Sequence, residues 1–173
     1  MVARAIKSNE PEKGRQMSIF PTKILLATDG SKEAALAART AVDLAQKTES
    51  ELHVVHARTP LYSYGLHEGY EEGVDVGAYV QEEPDELTRR GQGLLDEQVR
   101  KIKAAGGSVA QAHLRVGRPD AEIPALAEEI GAGLIVVGSR GLGGMRRVLM
   151  GSVSKSVVQH AHCPVLVVRG EEQ

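Results

Sequence analysis

The apolar residues of this chain fall into two alternating spacings. Residues 23–28 (Lys-Ile-Leu-Leu-Ala-Thr) form a short apolar run that ends in Asp29-Gly30-Ser31, a turn signal, and so predict a first strand. Residues 32–47 then carry Ala34, Ala38, Ala41, Val42 and Ala45 at helical spacing, with Ser31 placed to cap the first turn. So many alanines on one face predict close packing on a sheet. Leu52, Val54 and Val55 mark a second strand over residues 51–57. Leu87, Gly91, Leu94, Leu95, Val99 and Ile102 predict a second helix, opening at Pro84 or Asp85 and stopping near Ala105-Gly106. Residues 108–116 alternate as a third strand, and Gly117-Arg118-Pro119-Asp120 turns into a third helix over 120–130. Gly131-Ala132-Gly133 ends that helix. Leu134-Ile135-Val136-Val137 is a fourth strand, residues 152–161 a fourth helix and residues 164–168 a fifth strand.

Five predicted strands alternate with four crossover helices, which argues for an α/β fold: a parallel sheet with helices on both faces. No internal repeat is visible, so one domain is expected over residues 22–169, with a short tail at 170–173. Two stretches lie outside the pattern. Residues 1–21 are mostly polar and mixed in charge, with no apolar core resembling a signal peptide; they read as a disordered extension, with Met17 as an alternative start. Residues 58–83 hold all four tyrosines (Tyr62, Tyr64, Tyr70 and Tyr79) and many acids. Loops this long are either functional or mobile, so this insertion reads as a lid, a partner surface or a solvated loop.

Composition narrows the function. The formal net charge of −2 gives no global basic field for nucleic acid. Cys163 is the single cysteine, so no internal disulfide forms, which suits a reducing cytoplasm. No apolar run is long enough to cross a bilayer as a helix.

The stretch from Leu134 to Ser154 carries the chemistry. An apolar strand breaks into a Gly-rich basic loop and ends at Gly151-Ser152, where a helix begins. Strand, Gly loop and helix start form a recurrent anion site, because the helix start has unpaired N–H groups and partial positive charge. Backbone N–H groups of Gly141, Gly151, Ser152 and Val153 are the candidate phosphate donors, joined by the Ser152 and Ser154 hydroxyls. Arg140, Arg146, Arg147 and Lys155 supply positive charge. No GxxxxGK[ST] occurs, and a GxGxxG begun at Gly141 fails at Arg146. Asp29 reads either as an Asx-turn aspartate or as a ligand-facing carboxylate. His160 and His162 are spaced for different helical faces, and His53 and His56 for opposite strand faces, so neither pair reads as a metal site. No Ser/His/Asp spacing suggestive of a nucleophilic triad stands out.

The spacing Gly138-x2-Gly141-x9-Gly151-Ser152 resembles the ATP-binding motif of the universal stress protein family. The resemblance spans about residues 22–169. It extends to Lys23-Ile24-Leu25-Leu26-Ala27-Thr28-Asp29-Gly30-Ser31, to Val116-Gly117-Arg118-Pro119, and to Cys163-Pro164-Val165-Leu166-Val167-Val168. It implies a flavodoxin- or Rossmann-like sheet of order 3-2-1-4-5, which sets Asp29 opposite the Gly loop at the topological switch point. It also implies ATP with Mg2+, Asp29 on the ribose or the metal, and Ala27, Thr28, Ala57 and Val137 around the adenine. Gly138 and Val153 belong to the same implied loop. Many family members carry proline where Ala27 stands. The resemblance further implies a cytoplasmic homodimer that responds to stress, and an edge strand of Val165, Leu166, Val167 and Val168 suits pairing between copies. Two alternatives stand beside the regulatory reading: a slow ATPase or self-phosphorylating enzyme, and a nucleotide-free interaction dimer.

Overall fold

The computed structural model describes residues 18–60, 83–143 and 150–170. Residues 1–17, the Tyr-rich stretch at 61–82, Arg146, Arg147 and residues 171–173 lie outside the described residues. In chain order the elements are β1 (Lys23–Ala27), α1 (Lys32–Thr48), β2 (Glu51–Arg58), α2 (Glu83–Ala104), β3 (Gln111–Val116), α3 (Pro119–Ile130), β4 (Ala132–Gly138), α4 (Ser152–His160) and β5 (Val165–Val168). The five strands form one parallel sheet in the order β3-β2-β1-β4-β5.

Strand pleating divides the core in two, because neighbouring residues point to opposite faces. Ile24, Leu26, Leu52, Val54, Leu134 and Val136 face one side, where they pack with Ala37, Ala41 and Ala45 of α1 and Leu95 and Ile102 of α2. Leu25, Ala27, Val55, Ile135 and Val137 face the other, against Ile123, Leu126 and Ala127 of α3 and Val157 of α4. β1 and β4 are covered on both faces, which explains their unbroken apolar runs. The alanine stripe of α1 is Ala34, Ala37, Ala41 and Ala45; Ala38 is only half-buried beside it. Small side chains there let α1 lie close to β4.

The ends of the elements follow local chemistry. Ser31 Oγ accepts a hydrogen bond from Ala34 N at 3.1 Å, as a capping serine should. Several boundaries differ from the sequence pattern; α2 opens at Glu83 rather than at Pro84 or Asp85 and β2 runs on to Arg58, so both ends of the 58–83 insertion belong to regular elements. Gly131 alone ends α3, in the left-handed conformation (φ 65°), and Ala132 and Gly133 already belong to β4. Gly133 is glycine because the Thr22 hydroxyl occupies the place of a Cβ. β3 starts at Gln111, although the Ala110 N–H already donates to Leu52 O at 2.8 Å. Phe20 is half-buried against the core, so ordered packing begins before residue 22.

Candidate functional site

β1 leads into α1 on one face of the sheet, and β4 leads into α4 on the other. Their C-terminal ends therefore part, and a crevice opens between them. A cavity of ≈ 630 Å³ fills it. Ala27, Thr28, Asp29, Ala57, Val137, Gly138, Arg140, Gly141, Gly151, Ser152, Val153 and Ser154 all line this cavity, so the residues singled out along the chain meet in one place. Lys155 is exposed on α4 and is not part of the lining. The wall also includes Ala34, Val55, Pro119, Ile123, Leu142, Gly143 and Met150. Val55 and Ile123 were indistinguishable from core in the sequence, because they continue apolar strand and helix faces. Pro119 and Ile123 come from α3, which packs on the same face of the sheet as α4 and walls the cavity there.

Two chemical halves result. The inner wall is aliphatic: Ala27, Val55, Ala57, Pro119, Ile123 and Val137. The mouth is polar and is built from Asp29, Arg140, the Gly loop and the start of α4. Asp29 fulfils its Asx-turn role, since Oδ1 accepts from Ser31 N at 2.9 Å. Its second oxygen does more: Oδ2 accepts from Leu142 N at 3.0 Å, across the crevice. Behind it the Thr28 carbonyl accepts from His56 Nδ1 at 2.9 Å, which fixes that ring's tautomer and braces the end of β1.

The three motif glycines have different causes. A Cβ at Gly138 would sit 2.9 Å from the Glu33 carbonyl carbon and 3.0 Å from Ala34 N, so the first turn of α1 requires glycine there. A Cβ at Gly141 would collide with Asp29 Oδ2. Gly151 is different. Its φ of −68° suits any residue, and the nearest atom to an added Cβ is Ser139 O at 3.5 Å. Nothing in the protein demands glycine at 151, so its bare Cα leaves room at the mouth.

The start of α4 shows which groups are free for an anion. Gly151, the N-cap, brings no side chain to cap the helix. Ser152, Val153 and Ser154 line the cavity, so the uncapped first-turn amides open toward it. Two sequence-based donors are already in use. The Gly151 N–H donates to Ser139 O at 2.7 Å. The Ser154 hydroxyl donates to Gly138 O at 2.7 Å, so its single hydrogen is not available to a ligand. Arg140 lies 3.4 Å from Glu33, and both side chains are mostly covered.

The other titratable groups stand apart. Asp120, next to Pro119, is held below the usual carboxylate range by its hydrogen bond to Arg118 at 2.7 Å. His160 Nδ1 donates to Ser156 O at 2.8 Å, a local helix-end bond. His53, buried in the sheet, meets His113 of β3 with 3.1 Å between Nδ1 and Nε2, so one imidazole proton lies between the two rings. Burial pushes the Cys163 thiol up, away from a reactive thiolate. Among the described residues no three His, Cys, Asp or Glu side chains converge as a metal site, and no helix is long and apolar enough to cross a membrane.

Comparison with known proteins finds relatives by sequence and by fold. The sequence model of the universal stress protein family matches residues 21–169. A relative in Staphylococcus haemolyticus, carrying the universal stress protein name, is 35% identical over 157 residues, covering 86% of this chain and 85% of its own length. Among solved structures, the universal stress protein UspA from Lactobacillus plantarum shares the fold with a TM-score of 0.71 at 24% identity, over 87% of this chain and 99% of that one. A universal stress protein solved in complex with cAMP has a TM-score of 0.58 at 26% identity, over 85% of this chain and 95% of that one. The match covers most of the chain, and the fold is the same; this protein belongs to the universal stress protein family.

Proposed function

We propose that this chain binds ATP in the β1/β4 crevice and works as a nucleotide-responsive regulatory protein of the stress response. One observation carries the reading: a single cavity of ≈ 630 Å³ joins an aliphatic wall to the uncapped start of α4. The wall suits the flat faces of a purine, and the helix start suits phosphate oxygens. The structural neighbour with cAMP lends support, since cAMP is an adenine nucleotide. Mg2+ is expected on the phosphates. Each Asp29 oxygen accepts one N–H and keeps a further lone pair, so the carboxylate fits a metal held mainly by phosphate and water. Asp29 and Arg140 are the ionisable residues among the described lining, which supports a binding role over a dedicated catalytic one.

A homodimer in the cytoplasm completes the proposal. β5 pairs with β4 alone and leaves a short apolar edge, Val165 to Val168, half-buried within one copy. A two-fold pairing of β5 with its copy would cover that edge. Native mass spectrometry of the purified protein, followed by calorimetry with ATP, ADP, AMP and cAMP with and without Mg2+, tests the site. Co-purified nucleotide or saturable heat supports it. No nucleotide and no heat would leave the interaction-dimer reading. Sedimentation as a monomer at micromolar concentration would remove the dimer.

A further inference from the structure

Asp29 joins two parts of the cavity mouth that lie 113 residues apart in sequence. Arg140, two residues before Leu142, is paired with Glu33, but among the described residues the turn that Asp29 reaches is itself open to solvent. Leu142 is 73% exposed, so its side chain anchors nothing. Around Gly143 an added Cβ would meet no atom within 4 Å. The loop is secured at its root, where Ser139 N donates to Val168 O and Ser139 O accepts from Gly151 N, both at 2.7 Å. Further along, the Leu142 amide donates to Asp29 Oδ2 at 3.0 Å. Gly141 has glycine's small size where the backbone crosses that same oxygen.

We propose that Asp29 is a positioning residue for the phosphate end of the cleft: it fastens the glycine loop at Leu142 before any ligand arrives. The inference rests on the nucleotide reading for its consequence, though not for the fastening itself. A loop already held over the cavity need not be ordered at the moment of binding, so affinity rises with the fastening. The effect acts through the loop. It is therefore felt by nucleotides with and without a metal.

The test uses the full chain. Asp29→Asn keeps an oxygen for Ser31 N and turns an amide NH2 toward the Leu142 N–H, which sets donor against donor. Loss of a hydrogen bond to a charged acceptor predicts Leu142 amide exchange faster by roughly tenfold or more in the nucleotide-free protein. Nucleotide affinity should fall by a similar factor in EDTA, where no metal contact contributes, and by at least as much in Mg2+. A double-mutant cycle provides the second arm. Gly141→Ala alone should weaken ATP, because its methyl collides with Asp29 Oδ2. In an Asp29→Ala background the same change should add little, since the colliding atom is gone. Unchanged Leu142 exchange in Asp29→Asn overturns the fastening, whatever ATP does. An affinity loss confined to Mg2+, or additive effects in the cycle, overturns the positioning role in favour of a direct contact. Faster exchange in a protein whose parent binds no nucleotide keeps the fastening and removes the nucleotide reading instead.

Discussion

Replacing Gly151 by serine should move stability and binding in opposite directions. Gly151 is the N-cap of α4, with φ −68° and ψ 160°, the backbone shape in which serine caps best. A Cβ there meets Ser139 O at 3.5 Å and the Arg140 Cα at 3.6 Å, both ordinary contacts. A serine hydroxyl would then accept from the first-turn amides that are uncapped in the parent. Serine is better than glycine at an N-cap by a few tenths of a kcal/mol, so the thermal midpoint should rise by about 1 °C. If phosphate binds those amides, the hydroxyl competes with it for them. Losing one hydrogen bond from an N–H to a charged oxygen costs about 1.5–3 kcal/mol, or at least tenfold in Kd for ATP. Adenosine, which has no phosphate, should lose much less. Differential scanning fluorimetry without ligand and calorimetry with ATP and adenosine give the two readouts. ATP binding unchanged in Gly151→Ser would refute the claim that α4 receives the phosphates. A fall in stability would refute the claim that glycine is there for a ligand and not for the protein.

Gly138→Ala should do the reverse. Its methyl meets the backbone of Glu33 and Ala34, so overpacking of about 1–3 kcal/mol should lower the ligand-free midpoint by about 2–10 °C; an unchanged midpoint would show that α1 shifts freely. Glu33→Gln should strengthen ATP binding by about two- to fivefold, because Arg140, 3.4 Å from Glu33, loses a competing carboxylate; weaker binding would mean that Glu33 aims Arg140 at the ligand. His113 should make stability fall with acid. Burial, then the charges of His53 and Arg115, hold His113 below its usual 6.5. As pH drops through 6.5 the unfolded chain takes up a proton first, so stability is lost down to the folded-state pKa. His113→Gln should flatten the slope of melting temperature between neutral and mildly acidic pH, and an unaltered slope would place the acid sensitivity elsewhere.

The parts of this molecule that could be read from its sequence are those set by local patterning. β1 and β4 are unbroken apolar runs because the sheet is covered on both faces, and that alone announces buried parallel strands. Ser31 and Gly131 act within a turn of their own helices, so their capping could be assigned from neighbours. Contacts between distant segments could not. His53 and His113 meet only because β2 and β3 pair with His53 opposite Gln111 and Val55 opposite His113. The β4 start was hidden because Gly133 looks like part of a helix stop, whereas it is glycine for the sake of Thr22.

The Gly motif shows the same limit from inside a single pattern. As a spacing, Gly138, Gly141 and Gly151 look equivalent. In space Gly138 admits the first turn of α1 and Gly141 admits the Asp29 carboxylate, so both are needed by the folded protein itself. A chain could keep those two for packing alone and bind nothing. Gly151 has no such reason, because its backbone is unstrained and its surroundings have space for a side chain. The part of the motif that argues for a ligand is therefore its last glycine. The Ser139 carbonyl takes up the Gly151 N–H, which leaves the amides of the next turn, lining the cavity, as the donors on which an anion would rest.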